Sequence, residues 1–553
     1  MTRTAIDPVT RIEGHLRVEM EVKDGVVTDA WSSGGCFRGM ELVVENRTPA
    51  DAAHIVQRIC GVCPVSHSHA ATIAGEKAMG ITIPNNARII RNLIEGAQFL
   101  HSHILWLYNL AGLDYVNPLN ALTANVVATK ELASTFGTSS NTDFKTLAER
   151  LQKFADNGQL SIFSGNWFDA DDGKAFKCTP EQDLLLTSHY LEALTYQSKA
   201  SEIAALLGGK MPHVMTITPG GTAFVPTEEK LDDLLYLVRE LRAWVDSTLI
   251  PDTLILATVY PEVLKFGKGA GRYIAWGVFE GEKWPYGDYT EQMKNRYLPS
   301  GVLDEKLNLT EPDESKITEY VGRSWYKGKE TYQSPYFTTE PEFTKYDTSD
   351  RYSWVKRPEY GGKSMEASSL ARMLVAYKRN VPFIKENIDS FLEKTGLSVS
   401  DCQSTLGRTA IRQIETVYIA KLMEDWTLEL IEAVKGGDSK YFTEPTTVSG
   451  SGSGFWEAPR GALYHSEKVN NGKIEGYQII IPSTWNLAPR GKDGSVGPLE
   501  EALIGCPVET IEKPINCLRT VHSFDPCTAC SVHITEPKTG KTFKTVTNPW
   551  GVK

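Results

Sequence analysis

The sequence has little of what places a protein in the commoner classes. Lys and Arg number 58 against 69 Asp and Glu, a net charge of −11. The basic excess that nucleic-acid partners require is therefore missing, and no polybasic stretch offers a membrane anchor. No apolar run reaches the length of a membrane-spanning helix. Met1-Thr2-Arg3-Thr4-Ala5-Ile6 has no apolar signal core, so export would depend on a partner's signal. Cysteine is sparse, nine in 553 residues, which excludes a disulfide scaffold. Cys36, Cys178, Cys402, Cys506 and Cys517 are scattered and read as buried free thiols. None supplies the cysteine run of an iron–sulfur cluster, so a chain like this could move electrons only through a cluster on another chain. Repeats, low-complexity tracts, Ser/Gly/Pro-rich linkers and long charge blocks are also lacking. The length would allow three or four domains, yet no boundary shows, and one interlocked domain is expected.

What is present lies at the two ends. Cys60-Gly61-Val62-Cys63 and Cys527-Thr528-Ala529-Cys530 are both C-x-x-C, each followed by a histidine, His67 and His533. This spacing lets two thiolates bind one metal from a single turn of backbone. A zinc ribbon would place its second pair within about 15–20 residues of the first, and here the pairs sit at opposite ends of the chain. Spacing alone leaves open one joint tetrathiolate site or two unrelated pairs. It also leaves open nickel, iron, copper(I) or zinc, all of which accept soft sulfur ligands.

Between the pairs the pattern is mostly helical. Ile89, Ile90, Leu93, Ala97, Leu100, Ile104, Leu107 and Ala111 keep helical spacing over 86–112, after a Pro84-Asn85 start signal. Further helices are expected at 181–207, 228–248, 364–379 and 399–434. Residues 15–31 alternate around Asp24-Gly25, and 462–481 around Asn470-Asn471-Gly472, as antiparallel hairpins. Residues 280–362 show little periodicity and read as an ordered, loop-rich surface layer. The expected class is mainly α with small antiparallel β-sheets (α+β), a long-helix bundle whose N- and C-terminal ends converge on a buried metal site.

The residues around the cysteines narrow the choice. Asp7-Pro8-Val9-Thr10-Arg11-Ile12-Glu13-Gly14-His15, Arg38-Gly39-Met40-Glu41, Gln57-Arg58-Ile59-Cys60-Gly61-Val62-Cys63, Glu457-Ala458-Pro459-Arg460-Gly461, Pro482-Ser483-Thr484-Trp485-Asn486 and Asp525-Pro526-Cys527-Thr528-Ala529-Cys530 occur in that order. In these blocks the chain resembles the large, catalytic subunit of an uptake-type nickel–iron hydrogenase over nearly its whole length. The resemblance implies that Cys60, Cys63, Cys527 and Cys530 bind nickel, with Cys63 and Cys530 bridging to an iron that carries carbon monoxide and cyanide. Cys527, where some relatives have selenocysteine, and Glu13 would move the proton, with Arg460 over the open nickel position. Asp525 would pair with Arg460, and His67 would donate to a cysteine sulfur. Ser483 would donate to cyanide, and Pro459 and Leu463 would wall the carbon monoxide. Glu41, His533 and the Ile479 carbonyl would hold magnesium, or iron in its place. Val62 and Leu110 would line the gas route. The family usually has aspartate between two histidines where this chain has His101-Ser102-His103, so one charge near Arg460 is missing.

By the same resemblance the reaction is the reversible, heterolytic oxidation of hydrogen, with electrons leaving through an iron–sulfur small subunit in a heterodimer. A slow hydrogen sensor is the alternative, and a structural zinc subunit is the non-enzymatic one. The domain would span 1–533. Residues 534–553 carry no core pattern and would be removed by a maturation protease after nickel-insertion factors have acted. Location would be the periplasm or the periplasmic face of the membrane, reached with the small subunit and touching the membrane only through a partner, with the cytoplasm as alternative.

Overall fold

The computed structural model describes residues 2–163, 165–282 and 289–528. Cys530, His533 and the 534–553 extension lie outside the described residues.

Seven helices carry the framework: α1 (Pro64–Ala78), α2 (Asn85–Ile104), α3 (Pro180–Gly208), α4 (Glu228–Val259), α5 (Ser369–Lys378), α6 (Thr405–Lys435) and α7 (Ile515–Ser523). Local chemistry fixes their starts. Pro64 and Pro180 occupy first-turn positions, where no amide hydrogen bond is lost. Thr179 and Gln182 form a reciprocal cap on α3, and Ser368 and Ser404 cap α5 and α6. The cap at Ser404 is why α6 begins later than the 399 expected from its apolar stripe. α2 packs against α3 and α6, and α6 against α4, burying the apolar positions that set the helical period. This packing confirms the mainly α bundle.

Two helices depart from the sequence reading. α4 does not stop at 248 but runs through buried Pro251 to Val259. Close by, the Thr253 hydroxyl donates to the Leu249 carbonyl at 2.7 Å, and neighbouring packing holds the helix past its proline. α2 ends at Ile104 and continues to Ala111 as wider π-helical turns. There Gly112 is required by a close approach, since a Cβ would fall 2.4 Å from the Leu107 carbonyl oxygen.

Both expected hairpins form. Asp24 and Gly25 have φ of 53° and 76°, and Asn471 and Gly472 of 49° and 72°, the left-handed pairs that tight hairpins need. The first hairpin gains a third strand, Thr2–Ile6, in the register Thr2↔Val22 and Ile6↔Val18. In the C-terminal sheet Gly450–Ala458, Gly461–Asn470 and Lys473–Ile480 pair in order. The reading of 280–362 as a surface layer is corrected. Within it Ile317–Tyr320 is the centre of a three-stranded sheet flanked by Thr331–Gln333 and Arg357–Tyr360, and Trp325, Tyr352, Trp354 and Lys356 are buried. Strands of three or four residues are too short to show a period of two.

No helix among the described residues is long and apolar enough to cross a membrane. The ends of the described chain meet where Glu13 and Cys527 form a parallel bridge.

Candidate metal centre

Cys60 leaves the short helix Val56–Ile59 in extended conformation, and Cys63 is the cap residue of α1. The chain curls around the Cys60 sulfur, which accepts from the amides of Val62 at 3.3 Å and Cys63 at 3.1 Å. Cys527 arrives from α7 through Asp525, whose φ is 50°, and Pro526. Its sulfur lies 3.2 Å from that of Cys60. All three sulfurs fall within 4.8 Å of one another, and all three residues are buried.

This donor set fits a soft cation. Contact with Cys527 and Cys60, then burial, holds the Cys63 thiol well above its usual range. Three thiols so close cannot ionise together unless positive charge lies among them. Cys60, Cys63 and Cys527 are thus close enough to hold one ion together, with Cys530 outside the described residues.

Around the sulfurs, Glu13 is half-buried, and the Cys527 thiol donates to its Oε2 at 3.3 Å. The Cys527 amide donates to the Ser483 hydroxyl oxygen at 3.0 Å, which leaves the Ser483 hydrogen available to a further acceptor. Arg460 is buried, with Nη2 3.0 Å from Asp525 Oδ1 and Nε donating to the Asp525 carbonyl at 3.1 Å. Its Nη1 has no hydrogen-bond partner among the described residues. Burial alone would lower its pKa, but Asp525 and the sulfurs of Cys527, Cys63 and Cys60 raise it well above the usual value. It is a permanent cation over the thiols. Asp525 also accepts from Arg412 at 2.9 Å, so one carboxylate serves two buried guanidiniums. Ser102 Oγ is buried without a partner among the described residues. Burial, then Arg460, lowers the pKa of His101 to about 4.

Leu463 and Pro459 are buried beside Arg460 in sequence. Val62 and Leu110 pack as partly buried side chains against the core that contains Cys60, Cys63 and Cys527. The Nδ1 atom of His67 meets His465 Nε2 at 3.2 Å, and His465 Nδ1 meets the Tyr477 hydroxyl at 2.8 Å. That nitrogen therefore faces a histidine and not a sulfur. Burial lowers the pKa of His67 to about 4, against a small opposing effect of Cys60.

A cavity of about 80 Å³ runs from Cys527 past Ser483 to Glu41 and Ile479, room for a hydrated ion of small size. Glu41 Oε1 accepts from the Ile479 amide at 2.9 Å, which brings two of the expected magnesium ligands together. The sequence reading missed Lys356 and Glu319 here. Lys356 Nζ is 3.2 Å from Glu41 and 3.7 Å from Glu319. Burial raises the pKa of Glu319 to about 7, against the pull of Lys356. Neither residue lies in a motif; Glu319 sits on the central strand of the short sheet and Lys356 immediately precedes its neighbour Arg357–Tyr360, which brings both to Glu41.

A buried cluster of thiols joined to an acid, with a buried arginine beside it, fits the class of thiolate-ligated metalloproteins. The sequence matches the family described as nickel-dependent hydrogenase over residues 38–533, and a HoxL-like family over residues 3–32. It is 36% identical to the uptake hydrogenase large subunit of Bradyrhizobium diazoefficiens over 97% of this chain and 96% of that one. It is 37% identical to the hydrogenase-2 large chain of Escherichia coli K12 over 97% of each. Among solved structures it resembles the H2-activated [NiFeSe]-hydrogenase of Dm. baculatum, with a TM-score of 0.78, 35% identity, and coverage of 96% of this chain and all of that one. The chain belongs to the nickel-dependent hydrogenase family, as the large, catalytic subunit of a nickel–iron hydrogenase that oxidises hydrogen and pairs with a small subunit.

Proposed function

We propose that this subunit cleaves hydrogen heterolytically and reversibly, with Cys527 and Glu13 as the first two stations of the proton. The observation that carries the reading is the 3.3 Å contact between the Cys527 sulfur and Glu13 Oε2 beside two further buried sulfurs. Cys60, Cys63, Cys527 and Cys530 would hold nickel, and Cys63 and Cys530 iron with carbon monoxide and cyanide ligands. Such a centre supplies the Lewis acidity that makes hydrogen acidic enough to lose a proton. The chain's own residues do the rest. Cys527 sulfur takes the proton and Glu13 accepts it within hydrogen-bond reach. Arg460, held by Asp525, offers Nη1 to the reacting side as a fixed electrostatic donor. Ser483 would offer its hydroxyl hydrogen to a cyanide ligand, and Pro459 and Leu463 would supply apolar wall around the carbon monoxide. Val62 and Leu110 would set access for gas, and His67, held at Nδ1 by His465, would donate from its other ring nitrogen to a cysteine sulfur.

Magnesium, or iron, would sit between Glu41, the Ile479 carbonyl and His533, with Lys356 and Glu319 around it. Residues 1–533 would form one domain and 534–553 would be removed after His533 once nickel is in place. Electrons would leave through iron–sulfur clusters on the small subunit, with none on this chain. The complex would work at the periplasmic face, exported with that subunit.

The test pairs infrared spectroscopy with nickel analysis on the purified heterodimer. Carbonyl and cyanide bands with stoichiometric nickel, and rapid dye reduction under hydrogen, are expected. A chain already cut after His533 that shows no such bands would sink the reading.

A further inference from the structure

Cys63 stands where a helix usually finds its cap. α1 begins at Pro64, and from the position before it a side chain ordinarily accepts a bond from the first free amides. Threonine does this for α3, and serine for α5 and α6. The Cys63 sulfur makes no such bond and lies instead with the sulfurs of Cys60 and Cys527. Pro64 has no amide hydrogen, so Val65 carries the first one in need of an acceptor. Val65 is fully buried, and an unmet amide there could not turn to solvent.

The acceptor comes from another helix. Gln98 of α2 takes the Val65 amide on Oε1 at 2.7 Å. Only the carbonyl end of a carboxamide accepts, so this bond fixes which way round the side chain lies. Its other end, Nε2, donates to the Ser66 hydroxyl oxygen at 2.7 Å. The Ser66 hydroxyl hydrogen goes to Glu95 Oε1, one turn before Gln98 on α2, and Glu95 Oε2 meets His69 Nδ1 at 2.8 Å. Ser66, His69, Glu95 and Gln98 are all buried. Gln98 is thus gripped at both ends by the first turn of α1.

Sulfur already serves as an amide acceptor in this loop, where Cys60 takes two, from Val62 and Cys63. Without Gln98, the Cys63 sulfur is the group placed by its cap position to take the Val65 amide, and a bond made there would draw it away from the cluster. We propose that Gln98 is a positioning residue for Cys63, capping α1 from α2 so that the sulfur at the cap position stays free for the metal, a role that rests on Cys63 being a ligand as proposed above.

The experiment compares the matured heterodimer with Gln98→Met, which keeps the length and loses the acceptor. It also uses Gln98→Glu, which in a buried site beside Glu95 keeps its proton and so still offers an acceptor and a donor. Amide hydrogen exchange of the first turn of α1, resolved to Val65 by fragmentation, is read together with the iron carbonyl band in the infrared. In Gln98→Met the Val65 amide should exchange about tenfold faster, the scale of a lost helix cap. The carbonyl band should move to higher wavenumber, because an amide bond to a ligand sulfur draws electron density from the metal. Gln98→Glu should restore both. Ser66→Ala leaves the acceptor and removes the group that orients it, and should move both readouts the same way, less far. Unchanged exchange in Gln98→Met and Ser66→Ala would overturn the cap. Faster exchange with an unmoved band would overturn the positioning of Cys63. The exchange arm does not depend on which metal is bound, and the wild-type bands test the hydrogenase function, so the two fail separately.

Discussion

The sulfur of Cys527 and the carboxylate of Glu13 are 3.3 Å apart, and main-chain bonds on both sides keep them there. The Thr528 amide donates to the Glu13 carbonyl at 2.7 Å, and the Glu13 amide to the Pro526 carbonyl at 3.4 Å. Two residues from opposite ends of the chain thus form a short parallel bridge around the proposed proton step. Pre-set geometry of this kind lets a proton move without a search by the acceptor.

Glu13→Gln keeps the shape of the bridge but removes the base. Turnover should fall by about 10²–10⁴-fold, the usual worth of a positioned proton acceptor. Nickel content and the infrared bands should stay as in the wild type, because no ligand is lost. Dye-coupled hydrogen oxidation on nickel-matched samples reads this directly, and near-normal rates would show that Cys527 passes its proton elsewhere.

Arg460→Lys tests whether charge alone suffices. Arg460 binds Asp525 twice, through Nη2 to the carboxylate and Nε to the carbonyl, and still leaves Nη1 unpaired among the described residues. A lysine has one head group and cannot hold both bonds while reaching over the thiols. A loss in turnover of about a hundredfold is expected, comparable to removing one preorganised donor from an active site. Nickel should be retained. If lysine supported full activity, only the charge would matter.

The parts of this centre that were legible in the sequence are those written in local pattern. Cys60 and Cys63 stand at a fixed spacing before Pro64, and the hairpin turns announce themselves as Asp24-Gly25 and Asn471-Gly472. The helical period of Ile89 to Ile104 marks the apolar face of α2, while Arg88, Arg91, Asn92, Glu95 and Gln98 are buried on its polar side. What stayed hidden depends on distant partners. Lys356 meets Glu41 only because strands of three or four residues pair far from the motifs. The passage of α4 through Pro251 depends on neighbouring packing, which a propensity scale does not contain.

The Asp525 carboxylate shared by Arg412 and Arg460 makes a sharp stability prediction. Asp525→Asn leaves two buried guanidiniums facing a neutral amide, and removing one partner of a buried ion pair costs about 3–5 kcal/mol. A marked fall in thermal midpoint is expected, with loss of activity. Ser102 offers a partial rescue. Trp106 is one turn beyond Ser102 on α2 and its π-helical extension, and Arg412 lies over the Trp106 ring at 4.1 Å. An aspartate at 102 is therefore placed on the face that meets the arginine pair. Ser102→Asp in the Asp525→Asn background should recover part of the lost stability, and a double-mutant cycle on thermal midpoints measures the coupling. Strict additivity would mean that residue 102 does not feel either arginine.

Glu467 predicts a pH dependence that has nothing to do with catalysis. It is fully buried in the C-terminal sheet, and neither carboxylate oxygen has a hydrogen-bond partner among the described residues. Burial raises its pKa from 4.5 to about 8. In the folded chain the group is protonated through neutral pH, while in the unfolded chain it ionises near its ordinary value. The folded state therefore binds the extra proton, and its contribution is present in full below about 4.5 and is lost as pH rises toward about 8. The interval corresponds to at most about 4–5 kcal/mol. Glu467→Gln keeps the volume and removes the titration, so its thermal midpoint should fall less than that of the wild type between pH 5 and 8, windows taken from those two values. Glu95, also raised to about 8 by burial, titrates alike in both proteins and cancels in the difference. Parallel midpoint curves would mean that Glu467 is ionised in the fold and held by a cation.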